Sequence, residues 1–101
     1  MGINMTKEEF HKKLEAMYKE HPFITTKPKK TFNELVWVLR QDNVDYNISI
    51  PPYKEDMGWM CIPSVKECFI PVNQLAMHVN VVELDEGEEY DGICLTVYLE
   101  N

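Results

Sequence analysis

The sequence has few of the residues that build a phosphate-binding loop or a metal centre. It contains four glycines, at positions 2, 58, 87 and 92, which are too scattered to form a Gly-rich loop around a phosphate. The motifs GxGxxG, GxxxxGK[ST], GxSxG and HExxH are absent. We therefore expect no catalytic residues, no cofactor and no metal, and we infer function from charge and surface character.

Cysteines and long apolar stretches are also scarce. The three cysteines, Cys61, Cys68 and Cys94, are odd in number and lack CxxC or Cys/His zinc spacing. We interpret them as reduced thiols that pack as small hydrophobic side chains. No segment approaches the roughly 18 apolar residues of a membrane span, and no secretory signal is recognisable. These features predict a cytoplasmic protein, of a bacterial or host cell, with no membrane partner.

The amino-terminal part predicts one amphipathic helix. The chain has 101 residues, of which 45% are hydrophobic, and this is typical of a single folded domain. In the predicted helix, residues 6–20, Thr6 and Glu9 form a capping box. One face of this helix is apolar and carries Phe10, Leu14, Met17 and Tyr18. Pro22 opposes continuation of the helix, so residues 21–31 are expected to be a connector.

Residues 32–40 fit two different structures. Thr31 and Glu34 again have the spacing of a capping box, and the apolar residues that follow fit a helical period. Residues 36–38, however, are β-branched and aromatic, and residues 41–43 resemble a hairpin turn. We interpret residues 32–40 as a strand, with the helix as the alternative.

The remainder of the chain predicts a sheet. Residues 44–50 alternate apolar and polar side chains, which indicates a half-buried strand, and a short strand is expected after the next loop. Two more alternating runs, residues 77–81 and 93–99, flank an acidic segment at 83–92, which predicts a β-hairpin. The expected fold is α+β, with one N-terminal amphipathic helix packed on a mainly antiparallel sheet of four to five strands within residues 32–101.

Charge is distributed unevenly along the chain, whose net charge is −7. Residues 1–30 hold seven lysines and four glutamates, a net charge of +3, whereas residues 31–101 hold three bases and 13 acids, a net charge of −10. Six of the nine residues from Glu83 to Asp91 are acidic. Negative charge of this density repels phosphate and attracts basic proteins, so we expect no direct nucleic-acid binding.

Two segments contain the candidate partner-binding residues. The predicted acidic hairpin tip offers carboxylates and one aromatic anchor, namely Glu83, Asp85, Glu86, Glu88, Glu89, Tyr90 and Asp91. The loop that follows residues 44–50 offers side chains that are frequent in binding hot spots, namely Tyr53, Met57 and Trp59. Two alternatives stay open: the acidic run also fits a solvated loop that keeps the protein soluble, and Trp59 also fits a core position.

The sequence predicts a small acidic inhibitor that acts as a nucleic-acid mimic. It would bind a basic protein, for example a nuclease or another nucleic-acid-handling protein, and neutralise it by occupying its cationic site. Phage anti-defence proteins of the anti-CRISPR kind and bacterial immunity proteins are comparable in size and charge, although no motif links them to this chain. One alternative is a structural or assembly subunit of a phage or bacterial complex. Another is a small enzyme or ligand-binding domain that uses Cys61, Cys68 or His78.

Overall fold

Three helices and four strands form the part of the chain that the structure describes. A computed structural model describes residues 5–21, 29–85 and 93–101 and shows an α+β fold. The elements in chain order are α1 (Lys7–Glu20), α2 (Phe32–Gln41), β1 (Tyr46–Ile50), β2 (Met60–Ile62), α3 (Val72–Leu75), β3 (His78–Asp85) and β4 (Ile93–Glu100). None of these described helices combines the length and the apolar content needed to cross a membrane.

Helix α1 begins at the predicted capping box. The Thr6 hydroxyl accepts a hydrogen bond from the Glu9 backbone N–H at 3.1 Å, and the Glu9 carboxylate accepts one from the Thr6 N–H at 3.2 Å. These two bonds satisfy backbone donors that have no partner within the helix. Phe10 and Tyr18 are buried, and Leu14 and Met17 pack against the core at half-buried positions. The predicted amphipathic helix is confirmed.

Residues 32–40 are helical, so our interpretation of them as a strand is wrong. Helix α2 begins after Thr31, whose hydroxyl accepts a hydrogen bond from the Glu34 N–H at 3.3 Å. The apolar side chains that the helix buries are Phe32, Leu35, Val36, Val38 and Leu39. Their burial outweighs the strand preference of the β-branched and aromatic residues at 36–38. Gln41 is the last residue of α2 and residues 42–43 follow it, so residues 41–43 do not form a hairpin turn.

The four strands form a mixed sheet in the order β2-β1-β4-β3. β1 pairs antiparallel with β2, and β3 pairs antiparallel with β4, whereas the two central strands, β1 and β4, are parallel. The expected α+β fold, with an N-terminal helix and a mainly antiparallel sheet of four to five strands, is confirmed, and the sheet has four strands. The sheet begins at Tyr46, because the segment before it forms α2.

The hydrophobic core lies on one face of the sheet. β1 buries Tyr46, Ile48 and Ile50 on this face, and the ring of Phe10 in α1 lies 6.4 Å from the ring of Tyr46, measured between centroids. β4 contributes the apolar side of its alternating pattern, namely Ile93, Leu95, Val97 and Leu99. The predicted alternation in both strands is confirmed. We call the opposite side of the sheet the outer face.

A bulge in β3 changes the face to which its side chains point. Val79 pairs with Leu99 and Val81 pairs with Tyr98, so Asn80 is an extra residue without a counterpart in β4. An extra residue reverses the alternation that follows it. Val81 is therefore 44% exposed. The expectation that residues 77–81 keep one apolar face is wrong beyond the bulge.

Asp42, directly after α2, connects α1, α2 and β1. One oxygen, Oδ2, accepts hydrogen bonds from the Lys13 ammonium at 2.9 Å and from the Tyr46 hydroxyl, while Oδ1 accepts one from the Asn43 N–H. Only 7% of the Asp42 side chain is exposed. Burial acts to raise the pKa of Asp42, but the hydrogen bonds from Tyr46, Lys13 and Asn43 outweigh it and lower the pKa below its ordinary value.

The Asp42 contacts predict a pH-dependent contribution to stability. Because the pKa of Asp42 is lower in the folded state, its carboxylate stabilises the fold above the unfolded-state pKa, and this stabilisation is lost as the pH falls through the folded-state pKa. Replacing Tyr46 by Phe should reduce the free energy of unfolding by about 1–3 kcal/mol at neutral pH, because it removes a hydrogen bond to a buried carboxylate. Denaturant unfolding measures both effects.

Two comparisons make this experiment specific. Tyr98→Phe removes a hydroxyl from an exposed tyrosine and should change the free energy of unfolding by less than about 0.5 kcal/mol. The stability difference between the natural chain and Asp42→Asn should shrink as the pH is lowered from about 7 to about 3, a range that includes the ordinary aspartate pKa. A difference that is constant over this range would contradict the assigned role of the carboxylate.

Candidate functional site

The described residues of the two predicted partner-binding segments lie at opposite corners of the sheet. Asp85 ends β3 at the end of the sheet where β1 begins, whereas Trp59 precedes β2 at the end where β1 finishes. β2 and β3 are also the two edge strands of the sheet, and three strand spacings separate them by about 14 Å. These two segments therefore belong to separate surfaces.

Only part of the acidic segment lies within the described residues. Glu83 and Asp85 belong to β3 and are exposed. The other five candidates lie outside the described residues, namely Glu86, Glu88, Glu89, Tyr90 and Asp91. The structure therefore locates the start of the acidic run at the end of β3.

The three candidates in the loop before β2 differ in exposure. Tyr53 is half-buried, and its hydroxyl accepts a hydrogen bond from the Gln74 side-chain amide at 3.4 Å. Met57 is also half-buried. Trp59 is 65% exposed and is not a core residue. Tyr53 therefore connects the loop to α3, and Trp59 offers the large apolar surface.

On the outer face, Glu83 and Asp85 lie beside residues of β4. Directly paired residues point to the same side of a sheet, and the pairs here are Val81 with Tyr98, Glu83 with Thr96 and Asp85 with Cys94. Val81 is 44% exposed and Tyr98 is 37% exposed. We call Val81, Glu83, Asp85 and Tyr98 the carboxylate–tyrosine patch.

One carboxylate of this patch is oriented by a hydrogen bond from β4. The Thr96 hydroxyl donates to Asp85 Oδ2 at 2.6 Å. The neighbouring Glu83 carboxylate raises the pKa of Tyr98. Within the described ranges, no Lys, Arg or His side chain forms an ion pair with either carboxylate. The patch therefore presents two exposed negative charges next to an exposed aromatic ring.

No protein-family model, curated protein or solved structure matches this chain. The chemistry that the carboxylate–tyrosine patch can support therefore follows from its own side chains. An aromatic ring and an aliphatic side chain offer apolar contact area, and the neighbouring carboxylates accept hydrogen bonds from arginine or lysine. This combination suits a cationic protein surface.

The Cys94 thiol, on the outer face, does not resemble a nucleophile. Burial raises the pKa of Cys94; a hydrogen bond with Asn47 acts in the opposite direction, and the charge of Asp85 raises the pKa further. A raised pKa favours the unreactive thiol over the thiolate. Among the described residues there is also no group of three His, Cys, Asp or Glu side chains that could hold a metal ion.

A shallow cleft of about 480 Å³ lies between α1 and the end of α2. It is lined by Lys13, Ala16, Met17, Glu20, His21, Gln41 and Asp42. Its two central charged groups, those of Lys13 and Asp42, already form an ion pair with each other. Their charges therefore stabilise the fold and are not directed at a ligand.

Sequence reasoning did not select two members of the patch, Val81 and Tyr98. The alternation of residues 93–99 does place Tyr98 on the side opposite the core, so its exposure could have been read from the pattern. The exposure of Val81 depends on the bulge at Asn80, which no local sequence signal marks.

The effect of Glu83 on Tyr98 predicts a measurable titration. Glu83→Gln removes the negative charge that favours the protonated phenol, so the pKa of Tyr98 should fall toward the ordinary tyrosine value. An NMR titration of chains labelled in the tyrosine rings measures this pKa directly. Glu55→Gln, in the loop before β2, is the matched control and should leave it unchanged. A Tyr98 pKa that is the same in the Glu83→Gln variant and the natural chain would contradict the proposed contact.

Proposed function

We propose that this chain is a small acidic inhibitor that neutralises a basic, nucleic-acid-handling protein by occupying its cationic site. The observation that supports this proposal is the carboxylate–tyrosine patch on the outer face. Glu83 and Asp85 are exposed and free of ion pairs with described residues, and Asp85 accepts a hydrogen bond from Thr96 of β4. The proposed place of action is the cytoplasm of a bacterial or host cell.

The patch combines the two kinds of contact that a protein interface needs. Tyr98 and Val81 supply apolar area beside the carboxylates, and aromatic side chains often dominate binding energy at interfaces. Glu83 and Asp85 supply charge that accelerates association with a cationic partner. Since the Thr96 hydroxyl limits the rotamers of Asp85, less conformational entropy is lost when this carboxylate binds.

The charge of the surrounding sequence supports a partner that normally binds phosphates. Asp85 is followed in the sequence by four more acids within residues 86–91, and there is no basic residue after Lys66. Nucleic-acid sites in proteins are rich in lysine and arginine and attract closely spaced negative charges. A run of carboxylates in this position can compete for such a site as a mimic of nucleic acid.

Charge reversal at the patch tests the proposal. The variant Glu83→Lys with Asp85→Lys should reduce binding to the partner at least tenfold, about 1.4 kcal/mol, because each attraction becomes a repulsion. Affinity capture from extracts of the native cells at low and moderate salt, followed by mass spectrometry, identifies the partner. Its nucleic-acid-processing activity is then measured with and without the protein.

The matched control is Glu55→Lys with Asp56→Lys, which changes the net charge equally in an exposed loop at the opposite corner of the sheet. It should retain binding and inhibition, whereas the patch variant loses both although its thermal unfolding remains cooperative. Equal binding by the natural chain and the patch variant would refute the proposed surface. A partner that binds fully at high salt would refute the electrostatic mechanism.

A further inference from the structure

The two edges of the sheet differ in their protection against pairing with another strand. Along β3, Thr31 forms a bridge with His78, a bulge follows at Asn80, and Glu83 and Asp85 add charge. Bulges and charged side chains limit pairing at β3, whereas β2 is limited by its length of three residues and by Pro63 after it. At the other edge, β2 has the sequence Met-Cys-Ile, without charge, and no described strand pairs with its second side.

The most exposed large apolar side chains belong to the part of the chain that contains β2 and the residues on either side of it. Trp59 is 65% exposed and immediately precedes β2, and Phe69 and Val72, which follow it in the chain, are 82% and 78% exposed. These three are the most exposed of the large apolar side chains in the described residues. Of these three, Trp59 lies directly beside the open edge of β2, and an exposed aromatic side chain in such a place indicates an interaction surface.

The charge of this segment favours a second copy of the chain as its partner. Residues 54–72 carry two lysines and three acids, so they are nearly neutral, while the whole chain has a net charge of −7. A two-fold interface brings a surface into contact with itself and therefore requires a patch that does not repel its own copy. The acidic edge at β3 does not meet this requirement.

We propose that β2 pairs antiparallel with β2 of a second copy, around a two-fold axis at Cys61. The two sheets then join into one of eight strands, and the acidic β3 edges lie at its two ends. Seven strand spacings separate these edges by about 34 Å, and ions at physiological strength screen charge over about 8 Å. Pairing at β2 thus keeps the like charges of the two copies from opposing assembly.

The length of β2 determines the register of this pairing. Cys61 is its central residue and is exposed, and Pro63, which follows the strand, has no backbone N–H to donate. With Cys61 at the axis, Met60 lies opposite Ile62 of the second copy. Directly opposed residues in antiparallel strands have Cα atoms about 4.5–5.5 Å apart. This distance lies within the range of roughly 4.4–6.8 Å that a disulfide spans.

This interface is independent of the proposed inhibitory function. The carboxylate–tyrosine patch lies on the side of β3 and β4 and remains accessible in the dimer. A dimer of this form therefore presents two copies of the patch, one toward each end of the joined sheet. Loss of the dimer leaves each patch intact, so the two proposals can fail separately.

Sedimentation velocity tests the dimer directly. The natural chain should sediment as a concentration-dependent dimer at concentrations up to about 0.1 mM, a range that reveals weak association. Trp59→Ser with Phe69→Ser should raise the dimer dissociation constant at least tenfold, because it removes exposed apolar area. Val81→Ser, an exposed apolar position on β3, is the matched control and should leave dimerisation unchanged.

Oxidative crosslinking tests the register. Diamide should join two Cys61 thiols in a disulfide, with two electrons and two protons passing to the diamide, which becomes a hydrazine. Cys61→Ser should abolish the crosslink although Cys68 and Cys94 remain. The control Cys61→Ser with Asn80→Cys places an exposed thiol on the opposite edge and should not crosslink.

The outcomes separate the proposed interface from others. A crosslinked dimer that requires Cys61, together with weaker association of the Trp59 and Phe69 variant, supports pairing at β2. A monomer throughout the concentration range overturns the proposal. So does a dimer that is insensitive to Trp59 and Phe69, or one that crosslinks through Asn80→Cys instead of Cys61.

Discussion

The parallel pairing of β1 with β4 is the constraint on which the arrangement of this molecule depends. Tyr46 of β1 lies beside Ile93 of β4, so all the residues between these strands belong to one crossover. Parallel neighbours cannot be joined by a tight turn. Here the crossover contributes β2 to one edge of the sheet and β3 to the other. For this reason, the loop that contains Tyr53, Met57 and Trp59 lies near one edge of the sheet, and Glu83 and Asp85 lie at the other.

Polar contacts at the beginning of β1 hold this crossover in place. The Asp45 carboxylate accepts hydrogen bonds from the Ser64 hydroxyl and from the Lys66 N–H, and the Arg40 guanidinium donates to the carbonyl oxygens of Val65 at 2.6 Å and Cys68 at 3.0 Å. These bonds satisfy the backbone of a turn that contains no strand pairing. The contacts of Asp42 with Lys13 and Tyr46 lie in the same region, so helices, turn and sheet are connected at one end of the fold.

Local patterns predicted the parts of the structure that local forces control. The capping box at Thr6 and the alternation in β1 and β4 led to the correct elements, because each depends on neighbouring residues and on a single buried face. Residues 32–40 carried conflicting signals, and burial against the rest of the core decided in favour of a helix. Of the candidate site, the exposed carboxylates of Glu83 and Asp85 were foreseen, while their neighbours Val81 and Tyr98 were not.

Composition and periodicity are properties of the chain before it folds, and the acidic balance, the first helix and the alternating strands follow from them. The order of the strands, the bulge at Asn80 that turns Val81 outward, and the proximity of Tyr98 to Glu83 arise only when the chain folds. These features depend on pairing between distant segments, whose free energy comes from burying a shared core. This free energy cannot be read from any local pattern in the sequence.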